Sequence, residues 1–185
     1  MTVHAPQTMT KEAFFAWIEQ RGERYEYDKG RVVMMVYVTR NHARVTKNLV
    51  VALAVRLSSD SYEIVSADFA VDVGESVRFP DVLVEPRQAD GNALAADAPL
   101  LIAEVLSPST EDVDFTDKRA EYLALPSLQS YLVLAADEPR AWLWQRVKGS
   151  FPSKPEDIKG RERRIHLPTL GIEIPLAEIY QGVSA

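Results

Sequence analysis

Apolar residues at helical spacing predict two helices early in the chain. Thr10 can cap the first helix, with Glu12 in its first turn, and Phe14, Trp17 and Ile18 then fall on one face. A longer amphipathic helix is predicted from about Asn41 to Ser58, where apolar residues recur at intervals of three and four. Between them, RYEYDKGRVVMMVYV has two apolar and aromatic runs separated by an Asp-Lys-Gly turn. This pattern predicts a β-hairpin, with Glu26 just before the turn.

Short apolar runs predict strands through the middle of the chain. YEIVS, FAVDV and SVRFPDVLVE are each predicted as one strand, and residues 86–98 as a loop rich in Ala, Asp, Gly and Asn. PLLIAEVLS is nearly all apolar, as expected for a strand that is covered on both faces. A helix with Lys118 and Tyr122 follows to about Leu125, and SYLVLA and AWLWQRV form a strand pair. Strands and helices therefore mix along one chain.

Composition limits the class of protein. The 185 residues, 46% hydrophobic and 26% charged, suit one globular domain over residues 1–185. Since the chain has no Cys, any metal must be held by oxygen or imidazole ligands, which favours hard cations. No run approaches the roughly 18 apolar residues of a membrane span, and the first residues lack the pattern of a leader peptide. We therefore expect no membrane partner and a cytoplasmic location.

The charge is unevenly distributed. The chain carries a net charge of −6, but the window from Arg140 to Arg164 has eight basic and three acidic residues, so it is +5 and the remainder is −11. A basic patch on an acidic body can bind a polyanion while acidic residues elsewhere hold a metal. The alternative is a solvated charged loop, which such a window more often forms.

Glu104 is the most unusual residue, because it interrupts the apolar run PLLIAEVLS. A buried carboxylate costs several kcal/mol unless it is paired or metal-bound, so metal ligation and a buried ion pair are both open interpretations. Asp81 follows Pro80 at the start of a neighbouring apolar run, and adjacent strands would bring the two carboxylates together. Carboxylates and water are the usual ligands of Mg²⁺, which can promote phosphodiester hydrolysis.

Lys118 can lie near these carboxylates. It is one helical turn beyond Asp114 and one turn before Tyr122, so the three share a helix face. An ammonium group there can orient an attacking water or stabilise a phosphate. The alternative is an ordinary surface pair between Asp114 and Lys118.

Several segments together carry a family resemblance. FPDVLVE and PLLIAEVLSPSTEDVDFTDKRAEYLALPSLQSYLVL, with RYEYDKGRVVMM, HARVTKNLVVAL and LGIEIPLAEIYQGV, resemble the Uma-type putative restriction endonuclease family of the PD-(D/E)XK nuclease superfamily. The resemblance implies an α/β, restriction-endonuclease-like core, a mixed sheet flanked by helices, and divalent-metal-dependent cleavage of nucleic acid. By position, Asp81 resembles the first acidic ligand and Glu104 the second, with the backbone carbonyl of Val105 as a further metal ligand by analogy.

The sequence departs from the superfamily pattern at Leu106, where a lysine is expected. The resemblance implies that, in the Uma-type family, a lysine of the following helix takes the part of the missing lysine. Lys118 occupies that position. Its long side chain can reach the same point from a helix. The departure also leaves open a member that has kept the fold without cutting.

Three further residues are candidate supporting groups. Glu26 matches an acidic position of the family, although a solvated glutamate beside a turn is an equal alternative. His42 can contact phosphate or relay protons, since its ordinary pKa of about 6.5 suits that role, but a lone helix histidine is more often structural. Asp114 can hold Lys118 in place.

The sequence thus predicts an endonuclease that uses Mg²⁺ or Mn²⁺ to hydrolyse DNA. The alternatives are a non-catalytic nucleic-acid-binding or regulatory module of the same fold, favoured by Leu106 and the acidic net charge, and a hydrolase of a small phosphoester. A homodimer is also predicted, because the AWLW strand and the HARVTKNLVVALAVRL helix offer apolar faces.

Overall fold

A computed structural model describes residues 8–19, 25–35, 38–88, 90–106 and 118–183. Within them four α-helices form. These are α1 (Lys11–Ile18), α2 (Arg40–Ala54), α3 (Arg119–Leu123) and α4 (Leu176–Ile179). The strands are β1 (Tyr25–Asp28), β2 (Arg31–Met34), β3 (Tyr62–Ser66), β4 (Ala70–Asp72), β5 (Val77–Arg78), β6 (Val82–Pro86), β7 (Ala95–Ala96), β8 (Leu101–Leu106), β9 (Ser130–Ala135), β10 (Arg140–Gln145), β11 (Glu156–Lys159), β12 (Arg164–Leu167) and β13 (Ile172–Pro175).

The strands form two sheets and one ribbon. The central sheet has the order β11-β10-β9-β8-β6-β3, and the second sheet has the order β2-β1-β5-β4-β7. In the central sheet β8 and β9 are parallel, whereas β6 and β8 are antiparallel, so the sheet is mixed. Strands β12 and β13 form the antiparallel ribbon. The fold is therefore α/β with a mixed sheet and flanking helices, as the sequence predicted.

Strand β8 is at the centre because its residues are apolar on both faces. All six of its residues are buried. Leu101, Ala103 and Val105 pack in a core with α2, α4 and the ribbon. Ile102 and Leu106 pack on the opposite face with Tyr122 and Tyr131. Since side chains alternate along a strand, Glu104 lies on this second face, toward α3.

Local signals explain where the elements begin and turn. Thr10 accepts a hydrogen bond from the Ala13 N–H and caps α1, as the sequence predicted. Thr39 caps α2 in the same way through the His42 N–H. The predicted hairpin forms between β1 and β2, and Lys29 and Gly30 at its turn have φ of 46° and 94°. Two successive residues with positive φ give the turn that matches the twist of a hairpin.

Three predicted boundaries were wrong. The segment SVRFPDVLVE is two strands in different sheets, because Pro80 lacks an N–H to continue a ladder and the chain crosses there from β5 to β6. The main helix ends at Ala54 rather than Ser58. The predicted loop over 86–98 contains the short strand β7.

The described helices are all too short or too polar to cross a membrane.

Candidate active site

Asp81 and Glu104 occupy facing positions where strand β6 begins beside strand β8. Val82 pairs with Ala103 in this antiparallel ladder, so continuing the register by one residue sets Asp81 opposite Glu104. Glu104 follows the alternation of Ile102, which packs on the α3 side of the sheet, whereas Asp81 is one residue before β6 and is contacted by His42 of α2. The register therefore places the two predicted carboxylates at facing positions.

Asp81 is held by contacts from two sides. Its Oδ2 accepts a hydrogen bond of 2.7 Å from the backbone N–H of Val105. The same oxygen is 3.1 Å from Nε2 of His42, which projects from the capped first turn of α2. His42 is buried, and its Nδ1 has no hydrogen-bond partner among the described residues. His42 thus contacts the candidate ligand Asp81 directly.

Glu104 is 5% exposed and is paired within the protein. The Tyr122 hydroxyl donates a hydrogen bond of 3.0 Å to Glu104 Oε1, and Lys118 Nζ is 3.8 Å from the same oxygen. Burial, together with the negative charge of Glu104, raises the pKa of Tyr122 well above its usual value, so the phenol stays protonated as a donor. The structure thus brings together Glu104, Lys118 and Tyr122, as the helix-face argument predicted.

Lys118 is buried rather than on the surface, and it bridges two carboxylates. Its Nζ lies 3.0 Å from Glu26 Oε1 on β1, in addition to its contact with Glu104. Glu26 Oε1 is within ion-pair distance of this ammonium but accepts no hydrogen bond from the described residues. Glu26 is itself 7% exposed, so the alternative of a solvated glutamate is wrong. Lys118 thereby joins the second sheet to the central sheet.

Arg78 on β5 belongs to this network of charged residues, although the sequence did not predict it as a site residue. Its guanidinium makes two hydrogen bonds to Glu121, of 2.7 and 3.1 Å, and contacts Asp28 at 2.9 Å and Glu26 at 3.4 Å. Burial alone would lower the pKa of Arg78, but hydrogen bonding to Glu121 and the surrounding carboxylates raise it instead. Arg78 therefore fixes both Glu26 and α3 beside Lys118. The available signal was a charged residue inside an apolar strand, the same signal that identified Glu104.

The donor set suits a hard cation that keeps part of its water shell. Among the described residues, no three His, Asp or Glu side chains converge as a metal cage. The two carboxylates of Asp81 and Glu104 are enough for Mg²⁺, which commonly takes one or two protein carboxylates and several waters. Val105 contributes its N–H to Asp81, while its carbonyl as a metal ligand stays a prediction. Asp114 lies outside the described residues.

Comparison with known proteins gives consistent matches. The family Uma2, described as "Putative restriction endonuclease", matches residues 11–177. The uncharacterized protein sll1609 of Synechocystis is 33% identical over 139 residues, covering 72% of this chain and 78% of that protein. The uncharacterized protein slr1290 of the same organism is 25% identical over 202 residues and covers both chains fully. A crystal structure from Anabaena variabilis, described as a putative nuclease belonging to DUF820, superposes with a TM-score of 0.74 at 15% identity, covering 90% of this chain and 95% of that one. This likeness establishes a shared fold.

Proposed function

Since the chain belongs to the Uma2 family of putative restriction endonucleases, we propose that it is a divalent-metal-dependent nuclease that hydrolyses phosphodiester bonds of DNA. The family and the nuclease-like fold support the class of activity. The metal and the DNA substrate are the finer parts of the proposal, and they rest on the chemistry of the site.

The observation that carries the proposal is the placement of Asp81 and Glu104 at facing positions, with the buried Lys118 ammonium beside Glu104. A divalent ion held by the two carboxylates, Mg²⁺ or Mn²⁺, would offset charge on the scissile phosphate and supply an acidic bound water. The Val105 N–H and His42 orient Asp81, and the Tyr122 hydroxyl orients Glu104. Held carboxylates require little rearrangement when the ion binds.

Lys118 is proposed as the group that contacts the reacting phosphate. In the hydrolysis a water oxygen bonds to phosphorus and gives up a proton, the opposite P–O ester bond breaks, and the leaving oxygen takes up a proton. Negative charge develops on the phosphate oxygens during this step, and an ammonium at the site stabilises it. Glu26 and Glu104 hold the Lys118 side chain in the pocket between the sheets, where its charge is less screened than in water.

The test is cleavage of labelled single-stranded and duplex DNA by the purified chain with Mg²⁺, with Mn²⁺ and with chelator. We expect metal-dependent cleavage that is lost in Asp81→Asn and Glu104→Gln and reduced by about a hundredfold or more in Lys118→Met. Calorimetric titration with Mn²⁺ should show binding that Asp81→Asn removes.

Glu85→Gln is the matched control. Glu85 is a buried carboxylate on β6, 1% exposed, which accepts backbone hydrogen bonds from Asp97 and Ala98 and is outside the site. This variant should cut as the wild type does. Cleavage that persists in both Asp81→Asn and Glu104→Gln would overturn the assignment.

A non-catalytic nucleic-acid-binding module is the second candidate, favoured by Leu106. This residue occupies the position of the superfamily lysine and is 4% exposed in an apolar cluster. Such a module should show no carboxylate-dependent metal binding, so the Mn²⁺ titration separates the two proposals.

Homodimerisation and a cytoplasmic location stay predictions. Trp144 of the AWLW strand is buried against Tyr131 within the chain, so this strand does not offer the predicted face. The outer face of α2 does expose Val51, which is 54% accessible, and Val55, directly after the last helical residue, is 72% accessible. A dimer contact is therefore proposed on α2.

A further inference from the structure

A cleft that carries two arginines lies beside the candidate active site, on the neighbouring face of α3. Its volume is about 510 Å³, within the range of pockets that bind small ligands or parts of larger ones. The lining comes from α3, from β10 and from the segment that follows β10. The side chains that matter for its chemistry are Arg119, Arg146, Phe151, Ser150 and Ser153.

The described residues that line the cleft include two guanidinium groups and no carboxylate. Within the described part of the chain, no carboxylate lies within ion-pair distance of Arg119, whose guanidinium is 5.7 Å from the ring centre of Trp144. Elsewhere in the basic window, Arg140 pairs with Asp157 and Lys159 pairs with Glu138. Among the described residues, no carboxylate is paired with Arg119 or with Arg146, the residue of the basic window that lines this cleft.

Arg146 is held in place before any ligand arrives. Its guanidinium donates hydrogen bonds to the carbonyls of Leu125, Leu128 and Gly149, at 2.8, 2.8 and 3.1 Å. It also lies 4.5 Å from the ring centre of Phe151. Because carbonyls are neutral, these bonds orient the group without cancelling its charge. A fixed guanidinium loses little entropy on binding an anion.

We propose that this cleft binds a phosphodiester group of the nucleic-acid substrate, on the strand next to the bond that is cut. Arg119 directly follows Lys118, so the cleft and the candidate active site are on adjacent faces of the same short helix. Guanidinium groups pair well with phosphate oxygens, and an aromatic ring beside them gives a surface for a base. The inference rests on the proposed function for its ligand, since it extends the path of the same substrate.

The test is binding of fluorescently labelled single-stranded and duplex DNA to the full chain, measured by anisotropy in chelator over a range of salt concentrations. Arg119→Gln should weaken binding roughly tenfold. It should also reduce the slope of log affinity against log salt by about 0.7 for single strands or 0.9 for duplex, the value of one phosphate contact. Ser153→Asp places a negative charge at an exposed position of the cleft and should weaken binding without disturbing the core.

Arg164→Gln is the control of equal charge change. Arg164 is exposed on β12, which packs on the opposite face of the central sheet, so its loss should leave the salt slope unchanged. Thermal unfolding of each variant checks the fold, and Ser153→Asp keeps the test valid if Arg119→Gln unfolds. Wild-type affinity and slope in both cleft variants would overturn the inference, as would an equal loss in Arg164→Gln.

The outcomes separate this inference from the proposed cleavage. DNA binding that depends on Arg119, without any cleavage in Mn²⁺, would support the cleft and refute the nuclease assignment. Cleavage by the wild type with unchanged binding in both cleft variants would refute the cleft alone. Absence of binding by the wild-type chain would refute the cleft, while cleavage in Mn²⁺ decides the nuclease assignment separately.

Discussion

Replacing Arg78 with methionine tests the buried ionic network most directly. The methionine keeps much of the apolar stem but removes the guanidinium, whose side chain is 5% exposed and contacts three carboxylates. Glu121 loses two hydrogen bonds, and of the two cations that contact Glu26 in the described part of the chain only Lys118 is left. Two largely buried carboxylates are then left with less compensation than in the wild type.

The expected loss follows from how buried these partners are. The side chains of Glu26 and Glu121 are 9% and 13% exposed, whereas that of Asp28 is 40% exposed and contributes little because solvent screens it. Removing one partner of a buried ion pair costs about 3–5 kcal/mol of unfolding free energy. For a chain of this length, that loss corresponds to a fall of about 6–20 °C in the midpoint temperature of thermal unfolding.

The assay is denaturant unfolding followed by circular dichroism, with the midpoint compared at unchanged slope. Arg56→Met is the matched control, because Arg56 makes a surface pair with Glu178 and should cost at most about 1 kcal/mol. Adding Glu121→Gln to Arg78→Met should recover part of the lost unfolding free energy, since it removes one buried carboxylate that no longer has its arginine partner. A loss in Arg78→Met no larger than that in Arg56→Met would refute the reasoning.

Three other predictions concern pH, capping and assembly. Burial raises the pKa of Glu85 from its ordinary value of 4.5, although two backbone N–H groups donate to its carboxylate. Below about pH 4.5 the carboxyl group is neutral and the stabilising contribution of its protonated form is fully present. That contribution is lost as the pH rises through the raised pKa of the folded state. Glu85→Gln should therefore raise the unfolding temperature at pH 7, and equal midpoints at pH 7 would contradict this. Thr39→Ala should cost about 1 kcal/mol through loss of the α2 cap, whereas Thr39→Ser should not; a denaturant midpoint unchanged by Thr39→Ala would count against the cap. Light scattering should give twice the 20.7 kDa mass for the wild type and a monomer for Val55→Glu, and a monomeric wild type at micromolar concentration would defeat the dimer prediction.

Most elements could be predicted because their signals are local. Alternation and helical spacing identified the β1–β2 hairpin, α1, the buried strand β8 and the β9–β10 pair. The split of SVRFPDVLVE was missed because apolar residues continue on both sides of Pro80, and only the change of sheet reveals the break. Periodicity therefore predicts that a strand exists more reliably than which sheet it joins.

The site was predictable where a buried charge has no local explanation. Glu104 stood out inside an apolar run, and the neighbouring strand then suggested Asp81. Arg78 was missed because its partners come from β1 and α3, which are distant in sequence, and the pairing of Tyr27 with Val77 that brings them together has no local signal. Tyr122 was placed on the correct helix face, but its hydrogen bond to Glu104 required the packed structure.

The candidate site takes one side chain from each of several elements, and this has a consequence for the protein during its own synthesis. Glu26, His42 and Asp81 leave the ribosome first, whereas Glu104 and Lys118 emerge later. Strand β8 is covered only when β9, which is made later still, lies beside it. Domains fold largely as units once enough chain is available. A nascent or truncated chain that ends before Lys118 therefore lacks the ammonium, and the proposed cutting activity would appear only when the fold is complete.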